Sequence, residues 1–180
     1  MDKNRKVLLI GYGNPGRLDD GLGPAVAEQA EKLSLPCLTV DSDYQLTVED
    51  AAEFANYDTV VLADADTTGP EPFWMKRILP KTGQLSFTSH SVDPRSLLAL
   101  AKELFKTEPV CYILGVRGYE FNEFGQRLSP GAKANLAEAV KYLEKCLRDG
   151  ELKEIRSQGG EIFRQDEQCE KDNQCKTENM

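Results

Sequence analysis

Residues 6 to 23 read KVLLIGYGNPGRLDDGLG, an apolar run that breaks into a glycine-rich loop and closes on two adjacent carboxylates. Val7 to Ile10 form a short, continuous run rich in branched residues and bounded by turn formers, the pattern of a buried strand. Gly11, Gly13, Asn14, Pro15 and Gly16 predict a loop at the end of that strand, with Asp19 and Asp20 inside it. Helical spacing starts only at Pro24, where Val26, Ala27, Ala30 and Leu33 share one face and the proline suits a first turn. The two carboxylates therefore face a strand end.

Working outward, residues 36 to 41 read as a second strand. Asp43-Tyr44-Gln45 follows as a loop, and Thr47 is placed to cap a helix running through Asn56. TVVLADA, residues 59 to 65, is a third buried strand that ends at Asp64 and Asp66 before a Thr-Thr-Gly-Pro loop. Residues 73 to 79 suggest a further strand, antiparallel at an edge. Asp93-Pro94 supplies an N-cap and first position for a helix through Phe105, and Val110 to Val116 gives another buried strand. Residues 118 to 125 form a polar aromatic hairpin or loop, and Ser129-Pro130 opens an amphipathic helix to about Leu147.

This alternation predicts an α/β three-layer sandwich: a mostly parallel central sheet of about five strands with helices on both faces. Right-handed crossovers restrict the topology further. With the second strand on one side of the first and the third strand on the other, a switch point opens between strands one and three, where ligands bind beyond the carboxyl ends. Asp20 and Asp64 follow those two ends, so topology alone brings them together. His90, the single histidine, stands in Thr88-Ser89-His90-Ser91 just ahead of the helix at Asp93-Pro94.

Gly11-Tyr12-Gly13-Asn14-Pro15-Gly16 also satisfies G-x-G-x-x-G after a strand, with Asp41 at the distance of a ribose-binding acid, so a dinucleotide-binding protein is an alternative. Its physics is unfavourable. That motif opens a helix at once so that amides and dipole meet a pyrophosphate. Here the helix starts late, Pro15 removes an amide, and Asp19 and Asp20 bring negative charge where a phosphate needs positive potential.

The longer pattern G-x-G-N-x(4)-D-D-x-x-G, residues 11 to 23, resembles the opening of the nickel-iron hydrogenase maturation endopeptidases, which trim the C-terminus of a hydrogenase large-subunit precursor. The resemblance runs from about Lys6 to Leu147 and includes Gln45-Leu46-Thr47 and Leu128-Ser129-Pro130. It implies that Asp20, Asp64 and His90 are both the catalytic and the metal-contacting residues of an aspartyl-type endopeptidase. It also implies that the nickel is supplied by the precursor, whose inserted metal is recognised before the extension is cut. Asp19, Asp66 and Asp41 are neighbouring acids able to act as outer or substitute ligands. Two carboxylates and one imidazole make an incomplete, oxygen-rich set with positions left for water or substrate, and a cation would relieve the repulsion between the acids. The choice of nickel rests on the resemblance, because imidazole suits zinc, copper and iron as well. A nickel-site-binding chaperone of hydrogenase assembly that does not cut is the alternative from another functional class.

Other catalytic schemes lack their parts. One histidine excludes H-E-x-x-H, no G-x-S-x-G elbow occurs, and Ser89 and Ser91 beside His90 do not make a triad. The 180 residues, 40% hydrophobic, suit one domain over residues 1 to 150, followed by a polar and flexible tail over residues 151 to 180 in which Ile155, Ile162 and Phe163 allow a short docked segment. A net charge of -8 opposes nucleic-acid or anionic-membrane binding. With no leader and no apolar run of spanning length, the expected setting is a cytoplasmic monomer. The five cysteines include no C-x-x-C pair, and reduced thiols are expected, with Cys111 and Cys146 as small hydrophobes in a strand and a helix.

Overall fold

A computed structural model describes residues 5–83 and 92–156, so Ser89, His90, Ser91, Ile162, Phe163, Cys169 and Cys175 lie outside the described residues. Six strands form one sheet: β1 (Val7–Tyr12), β2 (Leu38–Asp43), β3 (Thr59–Asp66), β4 (Phe73–Ile78), β5 (Val110–Arg117) and β6 (Ile155–Arg156). Their order is β2-β1-β3-β5-β4-β6. β1 runs parallel to β2 and β3, and β3 runs parallel to β5, whereas β4 is antiparallel to both of its neighbours. The mostly parallel sheet expected from the sequence is thus observed, with the switch point between β1 and β3.

The strands are read as continuous apolar runs because both sheet faces are covered. Val7, Leu9, Val61, Ala63, Leu114 and Val116 point to one face and pack with Leu22 and Val26 of α1 (Leu22–Glu31) and Leu136 and Leu143 of α4 (Pro130–Asp149). The alternate residues Leu8, Ile10, Val60 and Leu62 point to the other face, against Phe54 of α2 (Asp50–Phe54) and Leu97 and Leu98 of α3 (Pro94–Phe105). Each fully buried leucine contributes about 1.5–3 kcal/mol of transfer free energy. This period of two also fixes the site, since Tyr12 continues the Leu8–Ile10 side and Asp64 continues the Val60–Leu62 side.

Helix ends follow the capping chemistry of the sequence. Asp93 accepts the Arg95 amide at 3.0 Å, Ser129 accepts the Ala132 amide through Oγ at 3.2 Å, and Gly150 ends α4 at φ 72°. Three boundaries differ from expectation. α1 begins two residues early, at Leu22, after a 3-10 turn over Leu18–Gly21. α2 is only five residues long, because the Asp50 carboxylate accepts the Thr47 amide at 2.7 Å and holds a turn ahead of it. β4 is not the last strand, since Ile155 and Arg156 pair with Met75 and Trp74. Leu152 is buried on the way there, and its carbonyl accepts the Tyr112 hydroxyl at 3.1 Å. Among the described residues, no helix is long and apolar enough to cross a membrane.

Candidate functional site

The start of α1 lies directly against the ends of β1 and β3. A Cβ on Gly23 would stand 2.1 Å from the Tyr12 carbonyl oxygen and 2.5 Å from that of Ala63, so only glycine permits the approach. The chain must therefore arch between strand and helix, and Gly13, at φ 138°, starts the arch with no space for a Cβ beneath the Asp20 carbonyl. The 3-10 turn over Leu18–Gly21, which carries Asp20, completes it. Leu18, at φ 53°, is held in that left-handed conformation by its amide bond to the Gly125 carbonyl at 2.9 Å and by burial of its side chain.

Within the arch the amides are already used. Gly13 donates to the Asp43 carbonyl at 3.0 Å, Asn14 to Asp20 Oδ2 at 3.2 Å, Gly16 to Asn14 Oδ1 at 2.8 Å and Arg17 to the Asn14 carbonyl at 3.0 Å. Pro15 has no amide. A dinucleotide loop needs such donors free for phosphate, so this geometry opposes the alternative raised by G-x-G-x-x-G. Asp41, the would-be ribose acid, instead accepts the Ser42 amide at 2.7 Å and lies near Asp43, Asp50 and Glu53.

Asp64 is half-buried at the end of β3, where Gly11 pairs with Ala63 and Tyr12 is therefore its cross-strand neighbour. Its Oδ1 accepts the Ala65 amide at 2.7 Å, and the Tyr12 side chain lies beside it. Burial pushes its pKa up to about 6. The Ala65 amide and the nearby Tyr12 hydroxyl oppose that rise, and the charges of Asp20 and Asp66 add to it. Burial and the Asp64 charge together hold the Tyr12 phenol far above its ordinary range, so it remains a donor. Asp20 is near enough to Asp64 for its charge to be felt there.

The neighbouring acids do something else. Asp19 is fully buried and accepts the amides of Tyr119 at 2.8 Å, Glu120 at 3.0 Å and Ser129 at 2.7 Å, together with the Ser129 hydroxyl at 2.7 Å. Burial alone would raise its pKa, but these donors outweigh it and hold the carboxyl below its usual range. Asp66 accepts the Thr68 and Gly69 amides at 2.9 and 2.8 Å and Trp74 Nε1 at 2.6 Å, and it too lies below the usual range despite burial. Asp19 and Asp66 are therefore engaged in holding loops. Ser129 was visible in the sequence as a helix cap; its bond to Asp19, 110 residues away, was not. Tyr12 gave only the signal of a tyrosine at a strand end.

His90 lies outside the described residues. Among the described residues no group of three His, Cys, Asp or Glu is arranged to hold a metal. A cavity of about 440 Å³ lined by Val7, Pro36, Cys37, Cys146 and Leu147 sits at the opposite end of the sheet, away from these acids. Cys37, Cys111 and Cys146 are free thiols, and burial pushes Cys111 up to about 12, which suits a core residue rather than a nucleophile.

No protein-family model matches the chain. A putative hydrogenase maturation protease of Methanocaldococcus jannaschii is 29% identical over 163 residues, covering 84% of this chain and 99% of that protein. The hydrogenase expression/formation protein HupD of Thiocapsa roseopersicina is 27% identical over 150 residues, covering 78% of this chain and 67% of HupD. In fold, the chain is similar to the [NiFe] hydrogenase maturation protease HycI of Thermococcus kodakarensis, with a TM-score of 0.62, 21% identity and coverage of 82% and 95%. It is also similar to the hydrogenase maturating endopeptidase HybD of E. coli, with a TM-score of 0.57, 19% identity and coverage of 84% and 98%.

Proposed function

The chain is homologous to the nickel-iron hydrogenase maturation endopeptidases, and from that premise we propose that it removes the C-terminal extension of a hydrogenase large-subunit precursor after nickel insertion. In this scheme the nickel belongs to the precursor, and Asp20, Asp64 and His90 contact it. What supports the assignment is that Asp64 ends β3 with the Asp20 charge acting on it, while Asp20 accepts one amide and the adjacent acids Asp19 and Asp66 are each met by three or more donors.

His90 is assigned by sequence position. It stands three residues before Asp93, the N-cap of α3, whose Leu97 and Leu98 line the same sheet face as Tyr12 and Asp64. That supports a shared site. A substrate-held nickel ion supplies a Lewis acid and an anchor for the peptide next to it. The side chains orient that substrate through two oxygens and one imidazole. Asp64, with its carboxyl near 6, is suited to take or give a proton as the peptide bond is cleaved. The protein acts in the cytoplasm as a monomer, with neither nucleic acid nor membrane as partner.

The test is incubation of the purified protein with nickel-loaded and with metal-free precursor, followed by mass spectrometry. Loss of the extension from the loaded precursor alone is expected. Binding without any loss of mass would instead identify a chaperone that senses the nickel site, and equal cutting of metal-free precursor would remove metal recognition from the scheme.

A further inference from the structure

The 3-10 turn over Leu18–Gly21 is held from outside. It is four residues long, no side chain among the described residues caps it, and Leu18 stands in the left-handed region at φ 53°. The segment between β5 and α4 imposes its shape. Gly125 donates to the Gly16 carbonyl at 2.8 Å, Leu18 donates to the Gly125 carbonyl at 2.9 Å, and Asp19 donates to the Glu120 carbonyl at 3.0 Å. The Asp19 side chain then gathers both ends of that segment. Its Oδ2 accepts the Tyr119 and Glu120 amides and the Ser129 hydroxyl, and its Oδ1 accepts the Ser129 amide. Asp20 has only partners from within the arch: its Oδ2 accepts the Asn14 amide at 3.2 Å and its own amide donates to the Arg17 carbonyl at 3.2 Å. Where Asp20 stands therefore depends on how the turn is held.

We propose that Asp19 is a positioning residue for Asp20: its buried carboxylate clamps the turn to residues 119–129 and so fixes the backbone from which Asp20 projects. What Asp20 contacts rests on the function proposed above, whereas the clamp and its effect on the turn belong to the chain alone. A carboxylate suits the task because it accepts all four donors and offers none of its own. Hydrogen bonds to an ionised acceptor are also about twice as strong as neutral ones. An amide of the same shape has one accepting oxygen and an NH₂ group, so at least one of these donors would meet another donor.

Asp19→Asn keeps the shape of the side chain and breaks the clamp, so two measurements decide the matter. In crystal structures of wild type and Asp19→Asn superposed on β1 and β3, the Cα atom of Asp20 is expected to move by about 1 Å or more, a misplacement able to cost about a hundredfold in rate. With nickel-loaded precursor, at a temperature where circular dichroism shows the variant folded, kcat is expected to fall by about ten- to a hundredfold with KM within about twofold. Leu152→Ala gives the comparison for lost stability alone. It removes a buried side chain at the opposite end of the sheet and should lower the melting temperature while leaving kcat unchanged. If Asp19→Asn does not fold, Ser129→Ala, which removes one of the four donors, is read by the same two measurements. An Asp20 Cα atom in its wild-type place would overturn the assignment, as would an unchanged kcat in a protein whose wild type cuts, or an equal fall in Leu152→Ala. If the wild type does not cut the loaded precursor, the proposed function fails, and the place of Asp20 in the crystal structures still decides the role of Asp19.

Discussion

Asp19 receives four hydrogen bonds, from three backbone amides and the Ser129 hydroxyl, whereas Asp20, one residue on, receives one among the described residues, from the Asn14 amide. The same contrast recurs across the crevice. Asp66 is met by two amides and an indole, while Asp64, two residues earlier on the same strand, is left with burial outweighing its donors. Burial acts on Asp19, Asp64 and Asp66 in the same direction, and their donors decide the sign of the result. Saturated carboxylates hold loops together. Undersaturated ones have lone pairs left over.

The largest effect expected from this contrast is on cutting. Asp20→Asn keeps shape and removes charge, so cleavage of nickel-loaded precursor, followed by mass spectrometry, should fall by about a thousandfold or more, equivalent to several kcal/mol of lost metal contact. Unimpaired cleavage would make Asp20 as passive as its neighbour. Next comes Asp19→Ala, which strands the Tyr119, Glu120 and Ser129 donors. A loss of about 3–5 kcal/mol in urea denaturation is expected, with each buried orphan costing about 1–3 kcal/mol. A loss below about 1 kcal/mol would remove the distinction between the two aspartates.

Asp64 sharpens the comparison through pH. Its folded pKa is raised from 3.8 to about 6, so the folded state binds the proton more tightly than the unfolded state, and stability from this group is lost as pH rises across that range. The gap corresponds to about 3 kcal/mol at ~1.4 kcal/mol per pH unit. Asp64→Asn should therefore be more stable than wild type at pH 7 by up to about that amount, with the advantage shrinking toward pH 4. Asp19 has the opposite sign: its lowered pKa contributes stability above about pH 4 that is lost as the solution becomes more acidic. Melting curves of wild type and Asp64→Asn between pH 4 and pH 7 that run in parallel would contradict the assignment to Asp64.

The smallest effects are expected far from both aspartate settings. A chain ending at Arg156 should melt like the full chain. One ending at Gly150 loses the buried Leu152 and the β6 pairing, a cost of about 2 kcal/mol by calorimetry. A large drop for the chain ending at Arg156 would mean that Ile162 or Phe163 completes the core.

Much of this architecture was legible because its signals are local. Val7–Ile10 and Thr59–Ala63 announce themselves as buried strands and Asp93-Pro94 and Ser129-Pro130 as helix starts, and the switch point follows once β2 and β3 are assumed to lie on either side of β1, as they do. What escaped was non-local. Nothing near Asp19 in sequence distinguishes it from Asp20, because its partners come from residues 119–129. Nothing near Leu152 or Ile155 separates them from a polar tail, because the surfaces they meet are supplied by β4, β5 and α4. Thr47 was a sound cap candidate, yet the Asp50 side chain and a turn took the first part of that helix.

The bond from Ser129 to Asp19 spans 110 residues and so has a meaning in time as well as in space. A ribosome adding about 5–20 residues per second makes the turn that carries Asp20 roughly five to twenty seconds before it makes the serine that locks it. Until then the buried carboxylate of Asp19 lacks two of its four donors, and before residue 119 is made it lacks all of them. A nascent or truncated chain lacking residues beyond 118 therefore holds the Asp19 carboxylate without any of the donors that bury it in the finished protein.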